Sequence, residues 1–236
     1  RYQPRSRGLG DVYKRQDCNY KDSFRCSYIQ KKVLALISEK FSDLIFTSKS
    51  DSQLLTKPFF YNWIPIELDR YKFKIPRNKI PIIVHAPSDR AIKGTKYILD
   101  ALNRLKKEGY EFKLILLEDQ PNEKVREVLS EADIVIDQLF SIGPANLALE
   151  AMASGCAVLT GYNEEFFPVM CPVIPITKEN VYEKIKYLLE NRKEIRKYAI
   201  KGRKYVERYH DSKKVVKNLI DIIEGRKKGF LMTPKV

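Results

Sequence analysis

The sequence predicts an α/β protein built on a doubly wound parallel sheet. Three observations carry this. Beyond residue 80, short apolar runs (IPIIVHA, FKLILL, IVID, AVLT, VIPIT) alternate with stretches of helical spacing. The runs are apolar throughout, as in strands covered on both faces by helices. The segment FSIGPANLALEAMASGCAVLT reads in one pass as turn, short helix and buried strand.

The elements follow in order. From Ser27 to Phe41 the apolar residues Ile29, Val33, Ile37 and Phe41 recur every fourth position and mark one helix face. DLIFTS reads as a strand, SKSDSQLL as a turn running into a short helix, and FFYNWIPIEL as an extended segment. The charged, proline-bearing stretch YKFKIPRNKIP is the linker candidate and places a boundary near Phe73. Beyond it come strand IPIIVHA, a helix from Thr95 to Glu108, strand FKLILL, a helix from Asn122 to Glu131 and strand IVID. A helix from Asn146 to Ser154 opens after Pro144, which suits a helix start, and stops at Gly155. AVLT, VIPIT and a helix from Val181 to Glu190 continue the alternation. Two helices, Lys193 to His210 and Ser212 to Glu224, complete it.

In open sheets of this kind ligands bind beyond the carboxyl ends of the strands. Two loops there carry chemistry. HAPSDRAIKGT offers Arg90 and Lys93, then Gly94, where the chain turns into the helix led by Thr95. SIGPAN leads into the helix that carries Glu150. The first N–H groups of that helix lack intrahelical acceptors, and the peptide dipoles leave partial positive charge there, a setting for phosphate. Glu150 lies about one turn further in, within reach of a hydroxyl attached to the anion, although a glutamate on a solvated helix face has the same local pattern. There is no GxGxxG after a strand and no GxxxxGK[ST], so dinucleotide and P-loop readings lose their main support. His85 reads either as a group facing the cleft or as a hydrogen-bonded structural histidine, and Asp137 as a loop cap.

Composition narrows the classes further. The 236 residues contain 44 Lys and Arg against 30 Asp and Glu, a net charge of +14, and 44% are hydrophobic. The basic residues are interleaved with Glu along amphipathic stretches, which reads as solvated helix faces rather than a nucleic-acid footprint. An anionic membrane surface stays open as a peripheral contact. No apolar run approaches the roughly 18 residues of a membrane span, and no secretory signal pattern is present. Cys18, Cys26, Cys156 and Cys171 show no CxxC spacing, and His85 and His210 are the only histidines, so neither a zinc site nor a disulfide framework is indicated. A reducing, cytoplasmic setting fits. Residues 1–16, RYQPRSRGLGDVYKRQ, lack periodicity and resemble an adapter-derived peptide; they are read as a non-native leader. They hold five basic residues and one acid, so the remainder stays basic.

Three segments together resemble the C-terminal half of the retaining glycosyltransferases of the GT-B fold, family 4, also called group 1. LALEAMASGCAVLT is similar to the family's LEAMACGxPVV stretch, KGTKYILDAL to its KGxxxLIxAF stretch, and PNEKVREVLSEADIVID to the segment between them. The resemblance covers roughly Ser27 to Glu224. It implies a Rossmann-like C-terminal domain, with residues 17–72 a remnant of the N-terminal acceptor domain and linker, and residues 73–236 the nucleotide-sugar-binding domain with terminal helices.

What this implies for function is specific. The donor would be a UDP- or GDP-linked hexose, and the acceptor a glycan or lipid-linked precursor of a cell-surface polysaccharide or glycolipid. Glu150 would bond the donor ribose, Lys93 the diphosphate with Arg90 beside it, and Gly143, Pro144, Ala145, Asn146 and Leu147 would form the turn that presents backbone N–H groups to phosphate. Arg90 and Lys93 are thus the expected catalytic cations, with no metal and no cofactor. The expected site of action is the cytoplasm or the inner face of the membrane. Two family positions differ: Ile142 stands where a glutamate is usual, and Ser88 where an arginine is usual. Because the acceptor half is mostly missing, the chain is expected to bind donor without transferring sugar. Two rivals remain, a GT-B sugar-nucleotide 2-epimerase and a non-enzymatic basic module for nucleic acid or membrane.

Overall fold

The computed structural model describes residues 28–47, 54–226 and 229–233. The leader expected at residues 1–16 and most of the turn SKSDSQLL lie outside them. Helix α1 (Tyr28–Phe41) is followed by strands β1 (Phe46–Thr47) and β2 (Phe59–Tyr61). Strand β3 (Ile82–His85) leads to a one-turn helix α2 (Arg90–Lys93), then α3 (Thr95–Lys107), β4 (Lys113–Leu116), α4 (Asn122–Glu131) and β5 (Ile134–Ile136). Next come α5 (Asn146–Ser154), β6 (Ala157–Thr160), β7 (Ile174–Pro175), α6 (Val181–Glu190), α7 (Arg192–Tyr209), α8 (Ser212–Ile223) and β8 (Leu231–Met232).

Two compact units result. One is Trp63–Leu219; the other joins the residues up to Asn62 to those from Ile220 onward. The division falls ahead of the linker expected near Phe73. Within the larger unit, Trp63 stacks on Tyr209, 5.0 Å between ring centroids, and meets His210 edge-on, so the residues from Trp63 to the linker pack on the end of α7. The segment FFYNWIPIEL forms a strand only at β2, and Ile66 makes an isolated bridge to Asp211.

In the smaller unit β2 pairs parallel to β1 and antiparallel to β8. Glu39 on α1 is buried and accepts from Thr56 N and Oγ1 and from Lys57 N, which fastens the helix to the segment before β2. The apolar stripe read from the sequence is solvent-exposed on α1, Ile29 and Phe41 most of all.

The larger unit holds a five-stranded, all-parallel sheet of order β4-β3-β5-β6-β7, as the strand-helix alternation predicts. Side chains of alternate residues serve opposite faces. Ile83, Ile134, Ile136 and Leu159 join Ile98, Leu102 and Leu105 of α3 and Ile185 and Leu188 of α6 in one buried layer. Helices α4, α5 and α7 pack on one another and on the sheet. Each fully buried aliphatic side chain contributes roughly 1.5–3 kcal/mol by leaving water.

Because β4 and β5 flank β3 on opposite sides, the connections leaving β3 and β5 diverge, and a crevice opens at their carboxyl ends. Helix α2 replaces what the sequence suggested was an irregular loop. Its cause is local: the Asp89 carboxylate accepts from Ala91 N and Ile92 N and caps it. Gly94 then adopts φ +72°, the left-handed conformation that lets the chain break and restart as α3.

Candidate functional site

An open cleft of about 570 Å³ lies at that crevice, within the larger unit. Its walls come mainly from the loops that follow β3, β4 and β5: Ala86–Ser88 with Lys93, Leu117, Asp119, Gln120 and Asn122 with Val125, and Ala145–Leu147 with Glu150; Ile64 also lines it.

The floor is built by a buried ion pair. Lys93 Nζ donates to Asp137 Oδ1 at 2.7 Å, with side chains 11% and 0% exposed. Asp137 Oδ2 has no partner among the described residues. Asp137 therefore does more than end a strand: it fixes the cation at the end of α2 and offsets its charge. Beside the pair, His85 Nδ1 donates to the Ile136 carbonyl at 2.7 Å, and since a carbonyl can only accept, Nε2 accepts from Thr95 Oγ1 at 2.9 Å. Burial holds the imidazole below its ordinary range, so it is neutral at pH 7. His85 is a structural histidine that joins β3, β5 and the start of α3.

The turn into α5 contributes backbone. Ala145 occupies the N-cap and no side chain caps the helix, so its first N–H groups keep their partial positive charge uncompensated, and Ala145, Asn146 and Leu147 line the cleft. Gly143 and Pro144 stand behind the wall and are not brought into the cleft. The Gly143 N–H is taken by Ser141 Oγ at 3.1 Å, and the Phe167 ring leaves no room for a Cβ there.

Glu150, one turn into α5, is half-buried and lines the same space. Burial raises its carboxyl above the usual range, while the nearby Tyr71 hydroxyl and Arg126 favour the ionised form. Tyr71 is pushed up to about 12, first by burial and then by the Glu150 carboxylate.

Arg90, one turn before Lys93 on α2, does not line the cleft with it. It lies outside the cleft, where its guanidinium grips Glu118 through Nε–Oε1 at 2.7 Å and Nη2–Oε2 at 2.5 Å. Sequence reasoning missed Asp137 as the partner of Lys93, and Glu118 as the destination of Arg90. Neither pair has a periodic signal, because the partners lie 44 and 28 positions apart, each joining α2 to a segment after another strand. Among the described residues, no cluster of His, Cys, Asp and Glu could hold a metal, and no helix is long and apolar enough to cross a membrane.

A five-stranded parallel sheet with helices on both faces and a polar cleft at its switch point defines a Rossmann-like domain of the GT-B kind. The glycosyl transferase-like family model matches residues 90–221, and the chain belongs to that family. The fold is similar to that of HepE from Anabaena, solved with UDP-glucose, at 14% identity over 84% of this chain and 68% of that one, TM-score 0.62. It is also similar to sucrose-phosphate synthase from Thermosynechococcus elongatus (12%, 92% and 65%, TM-score 0.69). A third likeness is to WaaG, a glycosyltransferase involved in lipopolysaccharide biosynthesis (18%, 86% and 69%, TM-score 0.56). No curated protein matches the chain.

Proposed function

We propose that the larger unit is the donor-binding domain of a retaining glycosyltransferase that takes a hexose from a UDP- or GDP-sugar. The observation that carries this reading is the convergence, in one cleft, of Lys93, the uncapped start of α5 and Glu150 one turn further along the same helix. A diphosphate set against Lys93 and the α5 N–H groups leaves the adjoining ribose beside Glu150, whose ionised carboxylate accepts from two hydroxyls. The solved complexes of HepE with UDP-glucose and with UDP and glucose lend support by likeness of fold.

In the transfer step the bond between the anomeric carbon and the diphosphate breaks, and negative charge builds on the departing oxygen. Lys93 and the helix start face that oxygen and stabilise it where it forms, the main electrostatic task of such a reaction. The Lys93–Asp137 pair moderates this field, so the fixed backbone dipoles carry a larger share than a free lysine would leave them. Arg90 serves by anchoring the β4–α4 loop through Glu118. The acceptor, a glycan or lipid-linked precursor, would be presented by an opposing domain. Holding the two reactants together supplies about 7–11 kcal/mol of barrier reduction, so transfer requires both sides of the cleft, of which the larger unit supplies the donor side.

Calorimetric titration with UDP, GDP and pyrophosphate tests the reading. Nucleoside diphosphates should bind more tightly than pyrophosphate at physiological salt. Equal affinity for all three would leave the cleft as an anion site only.

A further inference from the structure

We propose that the base pocket is built for guanine and that Asp119 is the residue that selects it. This rests on the donor-binding reading above and narrows it to a GDP-linked sugar. With the diphosphate at Lys93 and the ribose at Glu150, the wall left on the side of α4 is Leu117, Asp119, Gln120, Asn122 and Val125, from the loop after β4 and the first turn of α4. Leu117 and Val125 offer apolar surface to the faces of a flat ring.

The polar edge of that pocket is unusual. Asp119 is the one non-glycine with positive φ (+52°) among the described residues, a backbone state that costs an ordinary residue free energy and that Asp tolerates better than most. The loop around it is fastened on each side. Leu117 N donates to His85 O, Glu118 is gripped by Arg90 through two bonds, and Gln120 Nε2 donates to Glu118 O at 3.1 Å. Each of these neighbours is committed to holding the loop. The Asp119 carboxylate, exposed at the cleft, has no hydrogen-bond or ion-pair partner among the described residues.

A carboxylate only accepts. Guanine presents two adjacent donors, N1–H and the N2 amino group, which match its two oxygens in the bidentate geometry that makes charge-assisted pairs strong. Uracil offers one N–H between two carbonyls, so a carboxylate facing it meets two like partial charges. Adenine offers one amino group beside an acceptor nitrogen. The chemistry of the edge therefore favours guanine over both.

The test uses the full chain and four probes: GDP, UDP, ADP and xanthosine diphosphate, in which a carbonyl replaces the 2-amino group of guanine. The wild type should bind GDP about tenfold more tightly than UDP or ADP, the scale of one charge-assisted hydrogen bond. In Asp119→Asn the amide N–H faces that carbonyl, so GDP should weaken about tenfold and xanthosine diphosphate should tighten. The substitution is isosteric and exposed, and circular dichroism checks that the fold is kept. UDP or ADP binding as tightly as GDP would overturn the assignment of guanine, and an unchanged base preference in Asp119→Asn would overturn the role of Asp119. Failure of every nucleoside diphosphate to bind better than pyrophosphate would instead overturn the donor-binding reading itself, and this inference with it.

Discussion

Lys93 Nζ and Asp137 Oδ1 lie 2.7 Å apart at the floor of the cleft, a buried pair whose second carboxylate oxygen has no partner among the described residues. Removing one member leaves an uncompensated charge in a place from which water is largely excluded. Lys93→Met is therefore expected to cost about 3–5 kcal/mol of stability, whereas the double variant Lys93→Met/Asp137→Leu should recover most of it. Urea denaturation of both checks this. If the double variant is no more stable than the single one, the pair is not what holds the floor.

Glu150→Gln should weaken GDP or UDP by about 1.5–3 kcal/mol, the scale of a charged acceptor on a hydroxyl, and leave pyrophosphate nearly unchanged. Burial raises the Glu150 carboxyl, so the wild type needs a higher pH than an ordinary glutamate would to keep it ionised. Nucleotide affinity should accordingly fall on acidification before an unperturbed carboxylate would titrate, and that fall should be absent in Glu150→Gln. Titrations across pH with both ligands read the two effects together.

Arg90→Ala separates two roles for this cation. If Arg90 faced phosphate, pyrophosphate and GDP would weaken alike. The structure sends it to Glu118 instead, in a surface pair with the arginine side chain 58% exposed, so stability should change little. GDP affinity should fall several-fold as the β4–α4 loop loses its anchor at Glu118, with pyrophosphate affinity unchanged. A comparable loss for both ligands would return Arg90 to the phosphate.

His210 predicts acid sensitivity. Its Nδ1 donates to the Ile64 carbonyl at 2.8 Å, its Nε2 is buried without a partner among the described residues, and burial against Trp63 and Tyr205 lowers it to about 4. A histidine whose folded pKa lies below the unfolded one stabilises only while neutral. That contribution, roughly 3 kcal/mol, is complete above the unfolded value of about 6.5 and is lost as pH falls toward 4. His210→Asn keeps a donor for Ile64 and removes the titration. It should be less stable at pH 7 through lost ring packing, with a flatter acid limb in a plot of melting temperature against pH.

Where the determinants were local, the sequence reading and the structure coincide. Helices Asn122–Glu131, Asn146–Ser154 and Val181–Glu190 and strand Ala157–Thr160 have the bounds that apolar spacing, Pro144 and Gly155 predict, because helix and strand are decided by periods of a few residues and by what sits at their ends. The one-turn helix α2 was legible in principle too, since Asp89 followed by Ala91 and Ile92 is a cap. Its shortness hid it.

The sequence by itself determined a parallel α/β sheet, the loop that brings Lys93 and the helix that carries Glu150. Only the tertiary structure decided which charges meet. Strand order β4-β3-β5 sets the end of β5 beside that of β3, which delivers Asp137 to Lys93, and sets β4 on the other side, which delivers Glu118 to Arg90. The same folding brings His210 to Ile64 across 146 positions. The physical reason is that a cation has no preference among distant carboxylates until chain topology places one within reach, and topology is set by how all the buried faces pack together.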